Sequence, residues 1–285
     1  MTSRSIAHAS NELRSIPPRE AISPGLLAPN GGRAPAFELK FLLSQDMAQQ
    51  VEHWAAAHMV PDPHAEPDLG NAYRITSLYL DTPGFDVFHR SVPHHCKKLR
   101  LRGYGSSPTV FLEQKTRKRD RVRKRRTPIV ETELDKIRHS CPERNWPGAW
   151  FHRRSIWRRL RPTIQIGCVR SAFFKNGTEE PMRLTLDRQL RAVPNDEWRL
   201  LPWQGGFPAL AGQVVLELKY SNVLPALFER MVREMSLTPC PVSKYRLAMR
   251  AWCSVDGIGQ TDSVRRVSLP CGLAEIGRSE TLSSI

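Results

Sequence analysis

Charged and apolar residues alternate one for one in six separate stretches of this chain, and a period of two commits such stretches to strands with one charged face. In KKLRLRGYG, Lys98, Arg100, Arg102 and Tyr104 share a face opposite Leu99 and Leu101. In VFLEQKTR, Glu113, Lys115 and Arg117 oppose Leu112, and in RVRKRR, Arg121, Arg123 and Arg125 alternate with Val122. MRLTLDRQL sets Arg183, Thr185 and Asp187 against Met182, Leu184 and Leu186. VVLELKY sets Glu217 and Lys219 against Leu216 and Leu218, and FELKF sets Glu38 and Lys40 against Leu39. A two-sided sheet with its polar face in water is the plainer way to use such strands. Here, however, the polar positions are almost all Lys, Arg, Glu or Asp, and carboxylates sit two residues from cations in Glu38/Lys40, Glu113/Lys115 and Glu217/Lys219. Such rows suit an antiparallel barrel whose outer face packs on helices around a wet, charged lumen.

The sign of the charge narrows the partner. The 285 residues carry a net charge of +15, which favours an anion: nucleic acid, a phosphorylated metabolite, polyphosphate or an acidic membrane surface. The field is concentrated, because residues 97 to 126 hold 13 Lys or Arg against Glu113 and Asp120. With 40% hydrophobic residues and seven Trp, the chain can bury a real core. Its six Cys are scattered without a Cys-x-x-Cys pair, which implies a reduced, cytoplasmic setting. His94-His95-Cys96 lacks the second half of a zinc site. No apolar run reaches the roughly 18 residues of a membrane span. Neither a Gly-rich phosphate loop nor a nucleophile–base arrangement is visible.

Residues 1–33, rich in Ser, Arg, Pro and Gly, are expected to be a disordered extension, and 254–285 a disordered tail. The folded unit is then 34–253. Within it Phe37–Leu42, Tyr73–Leu80, Lys97–Tyr104, Pro108–Thr116, Arg121–Val130, Thr163–Phe174, Met182–Val193 and Gln213–Tyr220 read as strands. Turns are expected at Asp81-Thr82-Pro83-Gly84, near Arg119-Asp120 and at Asn176-Gly177. A helix follows its N-cap at Ser44, and 223–235 and 243–252 are helical, with Ser243 capping the last. Residues 131–161 read as helix broken by Pro142 and Pro147, packing Trp146, Trp150 and Trp157 on the barrel. The fold class is α+β: an eight-stranded antiparallel barrel with flanking helices.

FELKF, SLYLDT, KLRLRGYG, VFLEQKTR, the arginine of VRSAF, RLTLDRQL, LELKY and SKYRLAM follow one another over about residues 36 to 250. In that order they resemble the VTC domain, the polyphosphate polymerase branch of the CYTH-like triphosphate tunnel proteins. The resemblance implies a tunnel that binds ATP at one end and a growing inorganic polyphosphate chain through its interior. Position by position it makes Lys40, Arg100, Arg102, Lys115, Arg170 and Lys244 the phosphate-binding cations at the reaction centre. Glu217 matches the carboxylate that holds Mn²⁺ or Mg²⁺, with Glu113 and Asp187 as further candidates. Arg183 and Lys219 match other tunnel positions, while Arg123 and Arg125 follow strand parity alone. Position 36 is Ala where the hydrolytic branch has the first Glu of Glu-x-Glu-x-Lys, a departure that favours a polymerase.

The expected reaction is transfer of the γ-phosphoryl group of ATP to a polyphosphate terminus, by positioning and charge neutralisation without a protein nucleophile. A tunnel triphosphatase or polyphosphatase, with water as acceptor, is the alternative within the fold. A non-enzymatic polyanion or nucleic-acid module is the alternative outside it, resting on the Trp and Arg residues between 146 and 161. That stretch could also meet an acidic membrane peripherally. Tyr79 and Asp81 fit a strand end and turn, with a structural role as the simpler reading.

Overall fold

The alternating segments join one antiparallel sheet. The computed structural model describes residues 37–94, 96–118, 121–138, 145–175, 182–202 and 205–256. The expected extension at 1–33, the turns at Arg119-Asp120 and Asn176-Gly177, and the chain beyond Asp256 lie outside these. In chain order the strands are β1 (Phe37–Leu43), β2 (Val60–Pro61), β3 (Ala72–Asp81), β4 (Lys97–Tyr104) and β5 (Thr109–Lys118). They continue as β6 (Arg121–Val130), β7 (Arg161–Lys175), β8 (Met182–Pro194), β9 (Phe207–Pro208) and β10 (Val214–Tyr220). The helices are α1 (Gln45–His58), α2 (Asp86–His89), α3 (Asp135–Arg138), α4 (Ala149–Trp157), α5 (Ala226–Glu234) and α6 (Lys244–Asp256).

The eight main strands lie in the order β1-β10-β8-β7-β3-β4-β5-β6, with β2 appended to β7 and β9 to β8. The sheet curls into a half-barrel with helices flanking it. Bulges help it turn: register shifts between Tyr79 and Leu80 in β3 and between Gly167 and Val169 in β7. Among the described residues no ladder joins β6 back to β1. Curl brings side chains together across the concave face: Lys115 Nζ on β5 lies 2.6 Å from Glu38 Oε2 on β1.

The apolar rows face outward onto helices. Phe41, Leu184, Leu186, Leu216 and Leu218 are buried under α1 and α5, which contribute Val51, Phe228 and Met231. Each such side chain taken fully from water contributes about 1.5–3 kcal/mol. Ser44 caps α1, its hydroxyl accepting from Met47 N at 3.2 Å, and Ala48, Val51 and Ala55 then fall on the buried side. On the other wall Leu99, Leu101, Val110 and Leu112 share a core with Trp146, Trp150 and Phe151. A Cβ at Gly148 would collide with Trp146 and Leu112, so glycine lets α4 approach β5 this closely. Among the described residues of the expected helix over 131–161 there are a 3-10 turn at 131–134 continuing into α3, and α4; β7 has begun by Arg161, and the expected break at Pro142 lies outside the described residues.

The last helix, α6, packs against β7 and β8 with Tyr245, Ala248, Met249 and Trp252 buried. It starts behind Ser243, whose Oγ accepts from Arg246 N at 3.4 Å. Asp81 anchors it. That carboxylate is fully buried, accepts from Thr82 N, Val87 N and Phe88 N at 2.7, 2.8 and 2.9 Å, and takes a further hydrogen bond from the Tyr245 hydroxyl. Tyr245→Phe is expected to cost about 1.5–3 kcal/mol, the range for a hydrogen bond to a charged group. Urea unfolding with an unchanged m value would read it; an unaltered midpoint would mean that the α2 amides alone satisfy Asp81.

Candidate functional site: a cationic lumen

The concave face of the sheet collects the charged rows. Cross-strand register places Tyr79 beside Arg100 and Ser77 beside Arg102, then Arg100 beside Glu113 and Lys98 beside Lys115. On the other wall Arg170 pairs with Asp187, Glu217 with Thr185 and Lys40, and Lys219 with Arg183 and Glu38. Lys244 enters from the first turn of α6.

Three carboxylate-centred groups organise these cations. Glu113 is 1% exposed and sits among four of them: Arg100 NH2 at 2.7 Å, Lys124 Nζ at 2.5 Å, Arg126 Nε at 3.3 Å and Arg102 Nε at 3.9 Å. Burial alone would raise its pKa, but the surrounding Lys124 and arginines hold the carboxyl well below the usual range. Asp187, fully buried, is gripped by Arg170 through Nε at 2.6 Å and NH2 at 2.8 Å, and also by the Lys244 ammonium. Lys40 links the third group, 3.1 Å from Glu217 and 3.7 Å from Glu38. Against burial, Lys40, Lys115 and Arg170 keep Glu217 well below its ordinary value.

Other groups lack such balance. Among the described residues Lys98 Nζ donates to the Ser243 hydroxyl, at 2.8 Å. Burial, then Lys40 and Lys115, push its pKa from 10.5 down to about 7. On β8, Arg183 Nε and Thr185 Oγ1 are buried without a hydrogen-bond partner among the described residues. Arg183 NH2 reaches the Tyr73 hydroxyl at 3.0 Å and Asp62 at 3.5 Å. Tyr79 OH accepts from Arg100 at 2.9 Å, and burial of that phenol is outweighed by Arg100 and Arg102, which lower its pKa.

Of the residues expected from sequence, Lys40, Arg100, Arg102, Lys115, Arg170, Lys244, Arg183, Lys219, Glu113, Asp187 and Glu217 lie on this concave side. Arg123 and Arg125 do not. Lys115 pairs with Lys124 and Gln114 with Arg125, so the inward residues of β6 are Lys124 and Arg126. Arg125 stacks outside on Trp150, its guanidinium 4.2 Å from the ring centroid. Tyr73, Lys124 and Arg126 are not expected from the sequence, and Glu38, Lys98 and Thr185 are expected only as members of the alternating charged rows.

The three proposed metal carboxylates differ. Glu113 and Asp187 are surrounded by guanidinium and ammonium groups. Glu217 is less enclosed and shares Lys40 with Glu38. Among the described residues no three His, Cys, Asp or Glu converge as a metal cluster, at His94 and Cys96 or elsewhere. No helix among them is long and apolar enough to cross a membrane.

Three solved structures are similar to this chain. A putative adenylyl cyclase from Hippeastrum, described as having a dominant triphosphatase activity, is 16% identical, with 76% of this chain and 96% of that one covered and a TM-score of 0.46. A putative adenylate cyclase from Bacillus halodurans is 12% identical over 75% and 96%, also at 0.46. A protein from Pyrococcus horikoshii OT3 is 13% identical over 76% and 99%, at 0.43. Among curated proteins, none matches this sequence significantly. The VTC domain model matches residues 36–253, the strands and helices that build the lumen together with their connections. The chain therefore belongs to the VTC domain family.

Proposed function

We propose that this chain is a polyphosphate polymerase, transferring the γ-phosphoryl group of ATP to inorganic polyphosphate within the lumen. The observation that carries the reading is a row of cations on the concave face only partly neutralised by carboxylates, in a VTC domain. Arg100, Arg102, Lys40 and Lys115 form one stretch of that row, and Arg170, Arg183 and Lys244 another. The unpartnered Thr185 hydroxyl and Arg183 Nε suit phosphate oxygens as acceptors.

In this mechanism the first group of cations holds the triphosphate and the second aligns the polyphosphate terminus. A terminal phosphate oxygen attacks the γ-phosphorus in line, the bond to the β-phosphate oxygen breaks, and ADP leaves. The acceptor is already an anion, so no general base is required; the side chains supply alignment and charge neutralisation. Glu217 with Glu38 is the carboxylate pair that fits Mg²⁺ or Mn²⁺, since such ions take one or two carboxylates and fill their shells with water and phosphate. A bound ion there would neutralise developing charge on phosphate oxygens.

Purified full-length chain given ATP and Mn²⁺ is expected to make acid-precipitable phosphate polymer. Glu217→Gln and Arg100→Ala are each expected to slow it by about 10²–10³-fold, as for loss of one transition-state contact. Label from γ-labelled ATP appearing only as free phosphate would replace the polymerase with a triphosphatase. Full activity in both variants would remove the lumen as the site.

A further inference from the structure

We infer that the outer face of α4 is a docking surface for an anionic lipid bilayer. The helix packs Trp150, Phe151 and Ser155 inward, all buried. At positions 153, 156 and 157, an i, i+3, i+4 stripe, it turns Arg153, Ile156 and Trp157 outward. Trp157 is 77% and Ile156 57% exposed, against 4% and 6% for Trp146 and Trp150. The core therefore uses two of the three tryptophans and leaves the third in water. Arg158 joins a further apolar side chain to this corner. Its guanidinium lies 5.8 Å from the Trp157 ring and donates to Pro93 O at 3.4 Å, next to Val92, which is 82% exposed.

The two segments that build this corner carry charge of one sign. No Asp or Glu occurs between Asn145 and Lys175 or between Val87 and Leu112, while Arg153 and Arg159 are exposed beside the apolar tip. Basic groups around an exposed Trp and aliphatic side chains match a leaflet of anionic headgroups, with Trp at the interface and Ile and Val below it. A nucleic acid would satisfy the arginines and could stack on Trp157, but it offers nothing to Ile156 and Val92. The lumen faces the opposite side of the sheet, so occupation of this surface leaves the phosphate-binding cations free.

Co-sedimentation of the full-length chain with phosphatidylcholine vesicles, with and without phosphatidylglycerol, tests the assignment. Binding is expected to require phosphatidylglycerol and to weaken with salt. A basic residue held at an anionic surface contributes about fivefold, so Arg153→Glu with Arg159→Glu is expected to weaken binding by about thirtyfold or more. Trp157→Ala should also weaken it, while the lumen variant Lys115→Ala should bind as wild type. Circular dichroism melts would show that the exposed-site variants are folded. Equal binding of both vesicle types, or wild-type binding by both α4 variants, would overturn the proposal. So would loss of DNA binding in those variants with vesicle binding intact.

Discussion

Replacing Glu113 by Gln is expected to lower the unfolding free energy of the ligand-free protein by about 3–5 kcal/mol, the cost of removing one partner from a buried ion group. The size follows from the surroundings. Glu113 is 1% exposed, and Arg100 and Arg126 are 16% and 15% exposed, so their charges would face each other with little water between them. The second part of the expectation is diagnostic. Inorganic tripolyphosphate brings negative charge to the same cations, so it should raise the melting temperature of Glu113→Gln more than that of the wild type. Thermal melts with and without tripolyphosphate read both effects. A variant as stable as wild type, or an equal shift in both proteins, would mean that Glu113 does not balance the phosphate-binding cations. Because its carboxyl lies well below the usual range, its stabilising contribution is present at neutral pH and above. It is lost progressively once pH falls below the ordinary carboxyl value of 4.5, down to that depressed value.

Much of the architecture was legible because alternation survives translation into structure. Lys97–Tyr104 and Arg121–Val130 have the bounds that the sequence led one to expect. The helix behind Ser44 begins at its cap. What the pattern left out is relative geometry. The expected turn at Arg119-Asp120 already fixed the answer for β6, because a two-residue connection pairs Lys118 with Arg121 and opposes each odd position of β5 to an even one of β6. Parity taken along β6 alone points Arg123 and Arg125 inward; parity taken through the hairpin points Lys124 and Arg126 there. The partnership of Glu38 with Lys115 spans 77 positions and comes from curl, which no local period encodes. The segments β2, β9 and α2 are two to four residues long, too short to show a period. Trp157 is a different case, since a tryptophan on a mixed helix carries no sign of which side it takes until the neighbouring strand is placed.

Affinity for a phosphate chain is expected to fall about fiftyfold between pH 7 and pH 9, and Lys98 is the residue expected to cause it. Lys98 pairs with Lys115 on the neighbouring strand β5, feels Lys40 on β1 together with Arg90 and Arg246, and contacts Ser243 and the Tyr245 ring, with no carboxylate partner among the described residues. Its pKa of about 7 in the free lumen means that the proton is leaving across this range. A phosphate chain favours the ammonium form, so binding above pH 7 must take up a proton, and each further pH unit costs up to tenfold. The ligand's own terminal phosphate gains charge near pH 6 to 7, which opposes the trend there and has ended by about pH 8. Stability moves the other way. Between pH 7 and 10.5 the unfolded chain holds a proton that the folded Lys98 has released, so this residue makes the ligand-free protein more stable as pH rises. Tripolyphosphate titrations by calorimetry in buffers of different ionisation enthalpy would count the protons taken up. Lys98→Arg, charged throughout, should flatten the profile while keeping the affinity seen at pH 6. Lys98→Met should flatten it at the weaker level. A wild-type slope retained in both variants would move the titration to another lysine of the concave face, Lys115, Lys124 or Lys244, each of whose pKa burial also lowers.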